Sequence, residues 1–133
     1  MTDQVQEAIS TANEWNDAFN VGDVETCISH MHFPHLRLSG KNEFESFKDP
    51  DAYRDRHKNS FKMLREKEGW HHTTSLSVDA VQMGAEKVHL TIRQSRQHED
   101  GTEYKGFDTF WIVTKIDGRW GLQFRSSFLD ARG

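Results

Sequence analysis

The chain of 133 residues has a single cysteine, Cys27, and only two prolines. One thiol excludes an intramolecular disulfide and a cysteine-based zinc cluster, and it reads as a small residue buried on a helix. There is no basic excess: 17 Lys and Arg stand against 21 Asp and Glu, a net charge of −4. That leaves no electrostatic footprint for nucleic acid. No apolar run approaches the ~20 residues that cross a bilayer, and the polar, acidic first thirty residues lack a charged-then-apolar leader pattern. The expectation is a soluble cytoplasmic protein that binds neither nucleic acid nor membrane. No GxGxxG or GxxxxGK phosphate loop occurs.

Hydrophobic residues are sparse at 35%, with 29% charged, but nine Phe and four Trp are among them. Side chains of that size build a core from few positions. Their regular spacing argues against disorder, and the length suits one domain over 1–133.

Val5, Ala8, Ile9, Ala12, Trp15 and Phe19 recur at the spacing of one helical face, which predicts a helix over 3–20. Asp3 and Gln6 suit its start and Gly22 its end. Asp23 opens a short second helix with Val24, Cys27, Ile28 and Met31 inward, stopped by Pro34. Two short strands, His35–Leu38 and Asn42–Phe47, flank Gly40. Asp49-Pro50 opens a third helix reaching about Glu68, with Tyr53, His57, Phe61 and Leu64 on one face.

After Trp70 the pattern is strand throughout. Turns at Gly84, Asp100-Gly101 and Asp117-Gly118 leave room for strands of roughly 10–14 residues, about twice the usual length. Strands that long twist and bend, so a strongly curved sheet is expected. The fold class is therefore α+β, three helices from the N-terminal half wrapped around a curved, cone-shaped antiparallel (mixed) sheet. One strand has two apolar faces: Tyr104, Gly106, Asp108, Phe110 and Ile112 on one, Phe107, Thr109, Trp111 and Val113 on the other. Helices cover one face, and a second copy of the chain docking on Phe107 and Trp111 is the simplest cover for the other. Arg125 falls on that dimer side by alternation from Trp120, Leu122 and Phe124.

This order of elements resembles the nuclear transport factor 2-like superfamily, whose fold is also called cystatin-like. The segments Trp15-Asn16-Asp17-Ala18-Phe19-Asn20-Val21-Gly22-Asp23 and Gly118-Arg119-Trp120-Gly121-Leu122 carry the resemblance locally. It covers essentially the whole chain and includes ketosteroid isomerases and SnoaL-like cyclases. The resemblance implies a pocket at the open end of the cone and a homodimer through the outer sheet face. Aligned on the last strands, Asp108 takes the place of the isomerase's protonated aspartate, an oxyanion-hole donor, with Phe110 beside it. Trp15 takes the place of the oxyanion tyrosine. The general-base place falls near Leu38-Ser39, which has no carboxylate, so steroid isomerisation by the family mechanism is not expected.

Eight histidines invite a metal reading, but their spacing argues against it. His30 and His32 diverge on a helix, His71 and His72 on a strand, and no HxxxH pair exists. Neither a metal nor a cofactor is expected. The candidate catalytic residues are Asp108, His35 and His72; one of His32, His35 or Arg37, or else His72, would stand in for the missing carboxylate as base or polar anchor. The candidate ligand-binding residues are Trp15, Tyr53, His32, Arg37 and Phe110. A bland reading stands beside this one: histidines around Pro34 tying down backbone carbonyls, and His72 as a satisfied core residue. Trp70, Trp120 and Phe128 read as core or pocket wall. The expected function is binding of a small apolar molecule, with or without acid–base chemistry; the alternative is a non-catalytic oligomerisation or partner-binding module.

Overall fold

A computed structural model describes residues 2–129. In chain order it runs α1 (Thr2–Asn20), α2 (Val24–Ser29), β1 (Met31–Leu38), β2 (Phe44–Phe47), α3 (Pro50–Arg56), α4 (Ser60–Glu68), β3 (His72–Met83), β4 (Lys87–Gln97), β5 (Glu103–Ile116) and β6 (Arg119–Ser127). The strands form one sheet in the order β2-β1-β6-β5-β4-β3. Neighbours are antiparallel except β1 and β6, which run parallel. The fold is α+β with a mixed sheet, as the sequence predicts, and the three late turns fall where expected.

The helices differ in two places. The second stops at Ser29 because Met31 pairs with Leu122 in the sheet; tertiary strand pairing outweighs the local helical pattern. The third is broken in two around His57–Asn59, where the His57 Nδ1 bonds the Ser60 hydroxyl at 2.6 Å. There are therefore four helices among the described residues, yet Tyr53, His57, Phe61 and Leu64 all remain buried. Asp49 caps the third helix as expected, accepting from the Ala52 N–H at 2.9 Å with Pro50 in the first turn.

The core lies between α1 and the concave face of the sheet. Ala8, Ala12, Trp15, Ala18 and Phe19 from α1 meet Val88 and Leu90 of β4, Trp111 and Val113 of β5 and Leu122 of β6. Register shifts between Ser75 and Ser77, Ala80 and Gln82, and Ile112 and Val113 bend the long strands. The hairpin joining β5 to β6 turns at Asp117 and Gly118, both at positive φ (52° and 77°), the backbone a two-residue turn of this hand requires. At Gly121 the parallel pair closes tightly: a Cβ there falls 2.8 Å from the Met31 carbonyl carbon, so only glycine fits.

Two expectations about sheet faces are overturned. Phe107, Thr109, Trp111 and Val113 face the helices, while Asp108, Phe110 and Ile112 face outward. The reason is β4, whose Val88, Leu90 and Ile92 are buried opposite Val113, Trp111 and Thr109. Phe107 and Trp111 therefore belong to the core and cannot form a dimer face. Arg125 also points inward. One extra residue, Gln123, sits between the Val113↔Leu122 and Ile112↔Phe124 pairs, and such a bulge reverses the alternation beyond it. Trp120 and Leu122 are inward before the bulge, and Arg125 and Ser127 after it. Phe128, expected in the core or pocket wall, is 73% exposed.

Candidate cationic cavity

Across the concave face, one row of paired positions runs Glu45, Arg37, Arg125, Trp111, Leu90 from β2 to β4. Parallel pairing of β1 with β6 sets Arg37 directly beside Arg125, about 4.8 Å apart along the hydrogen-bonding direction. On β4 the alternation Val88, Leu90, Ile92 continues inward as Gln94 and Arg96. Arg37, Arg96 and Arg125 are 2%, 6% and 7% exposed. They line one cavity with Trp15, Phe107, Trp111 and Leu129. Its volume is about 20 Å³, room for a water-sized group.

Each arginine has a defined surrounding. Arg96 bonds Glu68 at 3.2 Å, and Tyr104 donates to the same carboxylate oxygen at 2.8 Å. Arg125 lies over the Trp15 ring, 4.7 Å from its centroid, a cation–π contact strengthened by burial. Its Nε donates to His35 Nε2 at 3.2 Å. Since a guanidinium N–H only donates, that nitrogen carries the lone pair. The His35 proton is then on Nδ1, directed at the Leu122 carbonyl 3.2 Å away. Among the described residues no carboxylate pairs with Arg125. Glu45, next in the row, pairs with Arg56 at 2.7 Å.

Burial works against the charged forms of Arg37 and Arg125 and of the two imidazoles beside them. Burial and then Arg125 push Arg37 down to about 9, and burial lowers Arg125; guanidinium groups nevertheless keep their proton at neutral pH. Burial and then Arg125 hold His35 well below the ordinary imidazole range. Burial, then Arg125, Arg56 and Arg37, lower His57 to about 3. Both imidazoles are therefore neutral.

Trp15 differs from the other three tryptophans. Trp70 donates to the Thr73 hydroxyl at 2.9 Å, Trp111 to the Thr109 hydroxyl at 2.9 Å, and Trp120 to Glu7 at 3.0 Å. Among the described residues the buried Trp15 Nε1 has no acceptor, and neither does the buried Arg96 Nε. Beside them Asn16 and Gln94 bond each other and the wall: Gln94 donates to the Asn16 oxygen (3.1 Å) and the Ser75 hydroxyl (3.0 Å), and Asn16 donates to the Thr73 carbonyl (3.0 Å). Leu129, in the cavity wall, is held by the Gly40 N–H, which donates to its carbonyl at 2.6 Å.

Residues 4–123 match the model of the family described as NTF2-like protein (DUF6841). The chain belongs to that family. Solved structures with the same fold include an NTF2-like protein of unknown function from Shewanella oneidensis (14% identity, 94% of this chain and 98% of that one, TM-score 0.71). A ketosteroid isomerase-like protein from Erwinia carotovora atroseptica is 12% identical over 99% and 100% of the two chains, TM-score 0.71. An NTF2-like protein with a cystatin-like fold from Novosphingobium aromaticivorans reaches TM-score 0.77 at 9% identity over 99% and 85%. No curated protein matches the chain. At such identities the likeness is one of fold.

Within this NTF2-like cone the candidate residues separate. Trp15 and Arg37 line the cavity. His35 is fully buried behind Arg125 and supports it. Tyr53 is fully buried against the Phe47 and His57 rings but is not part of the cavity wall. His32 is buried at the last hairpin, where Nε2 donates to the Arg119 carbonyl at 2.8 Å and Nδ1 accepts from the Arg119 guanidinium at 3.1 Å. His32 and His35 thus tie down carbonyls, the bland reading. His72 lies outside the cavity and bonds His71 at 2.9 Å. Asp108, 70% exposed at its side chain, pairs with Arg93 on the outer face, and Phe110 packs there on His89. Asp108 is excluded from the interior because its partner on β4 is Arg93, on the solvent side of that strand. Arg96, Arg125 and Gln94 were absent from the expected site; the unbroken alternation from Val88 to Arg96 was the signal for two of them.

The buried neutral imidazoles make stability depend on pH. The unfolded chain takes up a proton near pH 6.5, while His57 stays neutral down to about 3. Stability is therefore full above pH 6.5 and falls below it, by about 1.4 kcal/mol per pH unit for each such group. Urea denaturation between pH 6 and 4 will show this slope, and His57→Gln will reduce it by about one proton; an unchanged slope contradicts a neutral His57.

Proposed function

We propose that the chain binds a small molecule in the closed cone, at the cavity between Trp15, Arg96 and Arg125. The observation that supports this best is the unpartnered Trp15 indole N–H in a protein whose other three indoles are all bonded. A buried donor without an acceptor costs roughly 1–3 kcal/mol, and a ligand or water in the cavity relieves that cost. Binding without acid–base catalysis suits the site better than the isomerase, dehydratase or cyclase chemistry expected from the sequence. The nearest imidazole, His35, has both nitrogens committed, and Asp108 lies outside. Compounds that raise Tm should shift the Trp15 indole N–H resonance and leave those of Trp70 and Trp120 in place. Trp15→Phe, which keeps a ring and removes the donor, should weaken these compounds. Equal binding by the variant, or shifts confined to the outer face, would contradict the reading.

The outer face supports a second proposal, a homodimer, with different residues from those first expected. Phe110, Ile112, Phe124, Leu36 and Leu38 lie adjacent in register there, with Phe128 and Phe44 exposed beside them. The face also carries both signs, Arg93 and Asp108, so it is complementary to itself across a two-fold axis. Sedimentation equilibrium should give a dimer that Ile112→Lys converts to monomer; a monomeric parent chain rules this out.

A further inference from the structure

We propose that the ligand of the cone is a planar carboxylate, its head group held by the Arg125 guanidinium beside the Trp15 indole N–H. This rests on the pocket reading above and adds the chemical class of the occupant.

The polarity of the wall carries the inference. The Trp15 Nε1 and Arg96 Nε, both buried and without acceptors, are donors by chemistry and cannot accept. Arg125 is a third donor group whose described contacts are neutral, the lone pair of His35 and the face of Trp15. It stands in register beside Arg37 on the neighbouring strand. Among the described residues, the nearby carboxylates are engaged: Glu68 accepts from Arg96 and Tyr104, and Glu45 from Arg56. Donors and positive charge converging on one enclosed space call for a group that only accepts and carries negative charge. An ionised carboxylate is such a group, and its two oxygens match the fork of a guanidinium.

Shape narrows the class further. About 20 Å³ is close to the space of a single small polar group, which suits a flat two-oxygen head better than a tetrahedral phosphate. Trp15 and Trp111 meet edge to face at 5.3 Å, and Phe107 completes an aromatic wall. Such a wall favours a flat, conjugated body behind the head group. Leu129 lines the same wall, its carbonyl held by the Gly40 N–H.

The test compares benzoate, benzamide, benzylammonium and inorganic phosphate on the purified full chain at constant ionic strength, by thermal shift and calorimetry. Benzoate should raise Tm saturably and bind at least about tenfold more tightly than benzamide, with no saturable effect from benzylammonium or phosphate. Arg125→Lys, which keeps the charge and loses the fork, should weaken benzoate by about tenfold while leaving benzamide unchanged. If that variant does not fold, the benzoate-to-benzamide ratio on the parent chain decides. Benzamide binding as tightly as benzoate, with the Trp15 resonance moving, overturns the carboxylate and leaves the pocket standing. Phosphate matching benzoate overturns the planar class, and no response to any of the four overturns the proposal.

Discussion

The interaction on which the interior depends is the burial of the Arg125 guanidinium against the Trp15 ring. It brings a permanent charge into the cone, and the surrounding groups adapt to it. His35 keeps its proton on Nδ1 so that its other nitrogen can accept from Arg125. His57 is kept neutral by burial and then by this same charge. A buried charge without a carboxylate is expensive, and a guanidinium cannot escape by losing its proton. The cavity in front of it is best understood as the space where that cost is met by an occupant.

One extra residue produces this arrangement. Without the bulge at Gln123, strict alternation from Leu122 would turn Phe124 into the cone and Arg125 out to solvent. With it, Phe124 joins Ile112 and Leu36 on the outer face, and Arg125 stands between Arg37 and Trp111. The bulge thus makes the inner face cationic and the outer face apolar together. It also helps curve β5 and β6, which long strands need if they are to close around a cavity.

Much of the fold was legible in the sequence because turn residues and helical periodicity are local signals. Gly84, Asp100-Gly101 and Asp117-Gly118 marked the strand ends, and the apolar positions of the first and third helices face the core as their spacing implies, with only Val5 and Ile9 half-buried. The faces of β5 were misread because both are apolar, so alternation alone gives two answers. The strand beside it has one clear apolar side, Val88, Leu90 and Ile92, and antiparallel pairing transfers that choice to Trp111 and Thr109. Arg125 was misplaced for a different reason: a bulge leaves no mark in a period-two pattern. Asp108 was drawn into the site by resemblance to an isomerase, but its strand partner is Arg93, on the solvent side. Trp15 was named through the resemblance and lies on the apolar face of its helix, and Arg37 was named through the resemblance, which puts the end of its strand at the pocket mouth.

The most direct test of this account is a crystal structure of the chain grown with 4-bromobenzoate, read by the anomalous signal of the bromine. The account predicts a carboxylate within hydrogen-bond distance of the Arg125 guanidinium and the Trp15 indole N–H. Bromine only on the outer face near Phe110 and Phe128, with a water or nothing beside Arg125, would contradict it.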